Sequence, residues 1–220
     1  MNAGDREKLL DLADEKKLEA EISMTELMGD QMWKDGTTAA DFDGLQHLIN
    51  ISPSTQSDVG GIDPSASGNE YWQNNANTSG TAAFNTSQAG LTIMNSVLNN
   101  TTFGRQGPKA VFTTKAIYQL YELGLTSNIR YARTDLADAG FRHLQYTTMP
   151  VLFDDNATAD NMYFVDTNSL WLQVLAQANM EVTQFQLKQD QLASSSLMYI
   201  AGNLTTGSRR TQGVATSITG

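Results

Sequence analysis

Two adjacent arginines, Arg209 and Arg210, are the most pointed charges in this chain. Neighbouring guanidiniums in an acidic sequence seek carboxylates, and bidentate pairing makes such contacts geometrically selective. They read either as a solvated pair or as a clamp from one subunit onto acids such as those of residues 5–30 of another. Tyr71 and Trp72 carry the same two readings, as anchors of their own loop or as aromatic anchors of a subunit contact. Other chemistry is thin. The two histidines, His47 and His143, have no ligand partner three or four residues further along the chain, so each reads as a packed or hydrogen-bonded side chain. The run Asp154-Asp155-Asn156 with Asp160-Asn161 lacks the alternating ligands and closing acid of a calcium loop, and reads as a solvated turn. There is no G-x-S-x-G elbow, P-loop or G-x-G-x-x-G. Cysteine is absent, which excludes disulfides and thiolate metal sites. Catalytic, cofactor-binding and metal residues are therefore all read as none. A carboxylate hydrolase would have only the generic supply of Asp and Glu behind it.

The charge balance narrows the partners. A net charge of −10 and the absence of any stripe of Lys and Arg argue against a dedicated nucleic-acid binder. Half of that excess lies in residues 1–36, where ten acids face five bases. An apolar share of 40% with three Trp, seven Tyr and eight Phe can build a core, so this is not the composition of a disordered chain. Asn, Thr, Ser and Gln are abundant. Uncharged amides and hydroxyls cost less to desolvate than ions, which suits a surface that meets other protein. No apolar signal core follows Met1, and no run is long enough to span a bilayer.

The elements that would hold these residues can be read from periodicity. Residues 4–34 predict a long helix, with Leu9, Leu12, Ala13, Ala20, Met24, Leu27 and Met28 at three- and four-residue steps and Gly36 as its stop. Residues 37–90 read as mostly irregular. Leu45, Leu48 and Ile49 make a short apolar turn there, and the Gly60-Gly61 pair opens the loop that carries Tyr71 and Trp72. So long a loop is usually functional or interfacial. Leu91 to Leu98 predict a helix. Lys109 to Phe112 predict a buried strand, followed by a helix capped by Thr114 and ended by Gly124. Phe141 to Leu152 is extended, with Pro150 implying an edge or bulge. Met162–Val165 and Leu170–Val174 read as a hairpin. Glu181–Leu187, Ser195–Ile200 and Gly213–Ile218 continue the strand pattern. The resulting fold class is α+β: a helix at 1–36, an α/β region at 37–150 and an antiparallel β region at 151–220, with the helix packed on the last sheet.

Several of these segments, in this order, carry a likeness. The runs W-K-D-G-T-T from Trp33, F-D-G-L-Q-H-L-I from Phe42, G-G-I-D-P from Gly60, Y-W-Q-N from Tyr71 and R-R-T-Q-G from Arg209 together resemble the major capsid proteins of tailed bacteriophages, the Hong Kong 97-type fold. The resemblance implies a capsid-type fold: a long spine helix at 1–36, an α/β axial domain at 37–150 and an antiparallel β peripheral region at 151–220. It further implies a structural subunit of an icosahedral shell, assembled in the host cytoplasm into hexamers and pentamers around the DNA genome. Its partners would be copies of itself, with scaffold, portal or decoration proteins beside them. Members of the family place an extended arm and a two-stranded loop ahead of the spine helix. Here the helix comes first, which implies a longer product or a divergent copy. The second reading is a carbohydrate-binding or adhesin-like surface module, using Tyr71, Trp72 and the Asn-rich loop.

Overall fold

The computed structural model describes residues 3–56, 58–78, 82–84, 89–125, 144–189 and 194–219. Helix α1 (Ala3–Gln31) leads into the short α2 (Leu45–Leu48). Strands β1 (Asn75–Asn77) and β2 (Ala82–Ala83) precede α3 (Ala89–Thr101). Next come β3 (Ala110–Thr113), α4 (Lys115–Gly124), β4 (Leu144–Tyr146), β5 (Met149–Phe153) and β6 (Met162–Val165). A six-stranded sheet of order β1-β13-β6-β3-β5-β4 is completed by β13 (Gly213–Ala215). β3 lies parallel to β5 and antiparallel to β6.

Both faces of this sheet are covered, and the pleat sorts the side chains. Val111, Met162, Phe164 and Ala215 point to a core shared with Met94 and Val97 of α3 and with Ile117, Tyr118 and Tyr121 of α4. The alternate residues Tyr163, Val165 and Val214 point to a second core with Trp33, Leu45, Leu48, Ile49, Val59 and Leu204, against which Phe112 packs. This explains why all four residues of β6 are buried although only alternate ones share a face. Each such buried side chain contributes roughly 1.5–3 kcal/mol. Trp33 fixes the second core edge-on against Phe112 and Tyr163, at centroid distances of 6.4 and 5.2 Å. The Thr114 cap forms as expected, its hydroxyl accepting from Ile117 N at 3.5 Å.

Four expectations change. Met162–Val165 and β7 (Leu170–Val174) are not a hairpin: β7 pairs antiparallel with β12 (Gly202–Thr206), while β6 stays in the large sheet. The turn Thr167–Ser169, capped by Asp166 through Asn168 N, redirects the chain between them. Second, the large sheet takes β1, β3, β4 and β5 from before residue 154 and β6 and β13 from after it, so the expected boundary at 150/151 falls inside β5. Third, Pro150 sits in an interior strand. It lies opposite Gln145, one residue before the parallel ladder with β3 begins at Val151, so no ladder bond needs its missing N–H. Fourth, α1 stops at Gln31, five residues ahead of Gly36. Gln31 turns its side chain onto Phe42 N and Asp41, and Trp33 dives into the core. Gly36, at φ 69°, serves the following turn instead.

Beyond β7 the chain leaves the main body. The β7–β12 ribbon is pinned to the main body near its arm end by a reciprocal pair, Asp43 N to Asn203 Oδ1 at 2.7 Å and Asn203 Nδ2 to Asp43 Oδ2 at 2.6 Å. Past it, β8 (Glu181–Val182) pairs with β11 (Met198–Tyr199), and β9 (Gln186–Leu187) pairs with β10 (Ser194–Ser195). This two-residue-per-rung arm lies along α1. The last strand, expected as one piece, is split at Ser217 (φ 59°) into β13 and β14 (Ile218–Thr219), which pairs with β2.

Candidate assembly interface

The R-R-T-Q-G segment is a latch inside the chain. Arg209 is fully buried and spends four hydrogen bonds on three segments. Its Nε donates to Leu48 O at 2.9 Å and Nη1 to Trp72 O at 3.0 Å, while Nη2 donates to Gln56 Oε1 at 2.7 Å and Asn74 Oδ1 at 3.1 Å. No carboxylate takes part. Burial pushes this guanidinium down to about 10, still well above neutrality, so it stays charged. Asn74 continues the web, exchanging hydrogen bonds with Asn50 N and Asn50 O. Gln212, also buried, clamps the turn after β6 by accepting from Asp166 N at 2.8 Å and donating to Asp166 O and Ser169 Oγ. Gly213 lets α3 come close, since a Cβ there would lie 2.6 Å from Val97 Cγ1 and 2.8 Å from Thr101 Cγ2.

Arg209 therefore reaches no surface where a neighbouring subunit could meet it. Arg210 does. It is exposed and stacks on Phe103, its Cζ 3.6 Å from the ring centroid. The structure also separates the two loop aromatics. Trp72 is half-buried against the second core, its Nε1 donating to Val59 O at 2.8 Å. Tyr71 stands 56% exposed beside it. His47 contacts Asp35 O through Nδ1 at 3.0 Å, as a hydrogen-bonded side chain should. His143 lies outside the described residues. In the acidic turn, Asp154 accepts from Asn156 N and Asp155 pairs with Lys115 at 2.7 Å. Among the described residues, no group of three or more His, Cys, Asp or Glu could hold a metal ion. No helix among them is long and apolar enough to cross a membrane.

The largest accumulation of exposed apolar side chains was not foreseen. Trp171, Leu172 and Leu175 on the ribbon and Phe185, Leu187, Leu197 and Tyr199 on the arm are all exposed, Leu187 to 79%. α1 adds Leu12, Leu18, Ile22 and Leu27. Between arm and helix lies a cleft of about 660 Å³, lined by Ala13, Lys17, Ala20, Val182, Phe185 and Met198 among others. A run such as Leu170-Trp171-Leu172 does carry the signal. Consecutive apolar residues on a strand cannot all face one core, so one face must meet something else.

No protein-family model matches the chain, and no curated protein matches it. Among solved structures it is similar to a chain of the cyanophage A-1(L) capsid asymmetric unit, with a TM-score of 0.61 and 15% sequence identity. The likeness covers 90% of this chain and 66% of the capsid chain, so this chain spans just under two thirds of that protein's length. At such identity the similarity is one of fold, and by fold the chain is phage-capsid-like.

Proposed function

We propose that the chain is a structural subunit of a bacteriophage icosahedral capsid, associating with copies of itself into hexamers and pentamers that enclose a DNA genome. The observation that carries this reading is the fold it shares over nine tenths of its length with a cyanophage capsid chain. The exposed apolar ribbon and arm support it, because a surface of that kind marks protein contact. In this reading α1 is the spine helix. The six-stranded sheet with α3 and α4 is the axial body, and the ribbon, arm and α1 form the peripheral part. Tyr71 and Arg210 supply inter-subunit contacts, with Trp72 and Arg209 holding them from behind. The subunit assembles in the host cytoplasm and resides in the virion, where scaffold, portal and decoration proteins are its further partners. A sugar-binding role is less well supported, because Trp72 has its N–H committed and its ring half-buried.

Electron microscopy of the concentrated protein, with light scattering alongside, tests the proposal. Rings, sheets or shells are the expected outcome. A uniform monomer at every concentration and ionic strength would sink it.

A further inference from the structure

One group of cations in this acidic chain has no carboxylate partner among the described residues. Arg105, Lys109 and Arg210 are exposed around the end of α3, the loop before β3 and the latch segment. Among the described residues none of the three has an acid within ion-pair distance. No Asp or Glu occurs in residues 98–109, 144–149 or 207–213, which surround them. Arg105 and Lys109 line a cleft of about 580 Å³ with Gly104, Pro108, Thr147 and Thr148. Beside it Arg210 caps Phe103, which is itself 38% exposed. A cationic rim next to an aromatic surface, in a molecule of net charge −10, asks for an acidic and partly apolar partner.

α1 offers that chemistry. Glu15, Glu19, Ile22 and Glu26 recur at spacings of four, three and four residues, so they share one face of the helix. Glu15 and Glu26 are exposed and make no ion pair within 4.0 Å among the described residues, and Leu18 and Ile22 are exposed between them. That face lies to the side of the arm cleft, whose edge Leu12 and Lys16 mark, Lys16 pairing with Glu19 at 2.6 Å. Ala13, Lys17 and Ala20, deeper in the cleft, lie more than a third of a turn round the helix. The two complementary surfaces are also rooted at opposite ends of the sheet. Lys109 immediately precedes β3, whereas Gly29 of α1 packs on Asn156, past the far end of β3 where Asp154 N meets Thr113 O. Complementary patches at opposite ends of one molecule match head to tail, which is the heterologous contact that closes rings.

We infer that the Arg105–Lys109 cleft, with Arg210 beside it, receives the Glu15–Glu26 face of α1 from a second copy of this chain. The inference rests on the self-association proposed above and names a surface for it. Its test is charge exchange on the whole chain, read by sedimentation velocity. Arg105→Glu with Lys109→Glu, and separately Glu15→Lys with Glu26→Lys, should each weaken association at least about tenfold, since like charges brought together cost more than one tenfold step. Combining all four substitutions should restore it. These side chains are exposed, and circular dichroism with Arg105→Ala and Lys109→Ala guards against a folding artefact. Wild-type assembly that ignores either reversal, or a combined variant that fails to recover, would overturn this contact alone. So would a reversal that abolishes binding of a short DNA duplex while assembly is unchanged, because the cleft would then be a phosphate site. A wild-type chain that never assembles would instead remove the capsid reading, and this contact with it.

Discussion

Arg209 is a buried cation balanced by four neutral acceptors. The guanidinium fork fits that task because its donors diverge in one plane, whereas an ammonium presents a single point. Arg209→Lys should therefore lose at least two of the four bonds and destabilise the fold by about 1–3 kcal/mol, as expected when buried acceptors go unsatisfied. Arg209→Met, which strands all four acceptors, should cost roughly 3 kcal/mol or more. Urea unfolding decides it, and a loss under ~1 kcal/mol for the Met variant would show that the latch does not join the segments. The sequence showed these residues without showing their direction. The two arginines sit in the turn between β12 and β13, closed by Gln212 N donating to Arg209 O at 2.9 Å, and that turn sends one inward and one outward. Nothing local distinguishes them, because Leu48, Gln56, Trp72 and Asn74 are all more than a hundred residues away.

At the scale of elements, legibility followed packing. α3, β3, α4 and β6 stood out because their apolar residues meet cores on known periods, and all four lie where their patterns place them. The β6–β7 pairing misled because adjacency in sequence favours a hairpin, while the decisive partner of β7 arrives only at residue 202. α1 is a different case. Its 29 residues would reach about 43 Å, yet Leu12, Leu18, Ile22 and Leu27 remain about half-exposed, so little of its apolar surface is spent on this chain. A helix so weakly tied should open locally. In dilute monomer, amide hydrogens of residues 12–26 should exchange at least about a hundredfold faster than those of β3 and β6, and should slow once copies associate. Equal protection of helix and sheet in the monomer would contradict that picture, and would mean that α1 is held by contacts within its own chain.

The whole molecule divides its labour between a body that stabilises itself and an extension that does not. The two cores flank the six-stranded sheet and bury Trp33, Phe164, Tyr163 and Met94. The arm holds paired rungs of only two residues and leaves Phe185, Leu187 and Leu197 at least 65% exposed. Ribbons of that size are marginal alone in water, so the arm's apolar cover must come from elsewhere, and in the capsid reading it comes from neighbouring copies. Its neck makes excision clean: Leu175 N donates to Ala201 O at 2.9 Å, so the two strands already meet there. Replacing residues 176–200 with an Asn-Gly turn should therefore close β7 onto β12 and leave both cores intact. The melting temperature of the excised chain should stay within about 4 °C of the parent, the shift that 1 kcal/mol makes at this size. Association, by contrast, should disappear in light scattering. If the excised chain melts far lower, the arm is part of the fold. If it melts alike and still assembles, the exposed arm is not what joins the copies, and the ribbon's outer face at Trp171 becomes the surface to disrupt next.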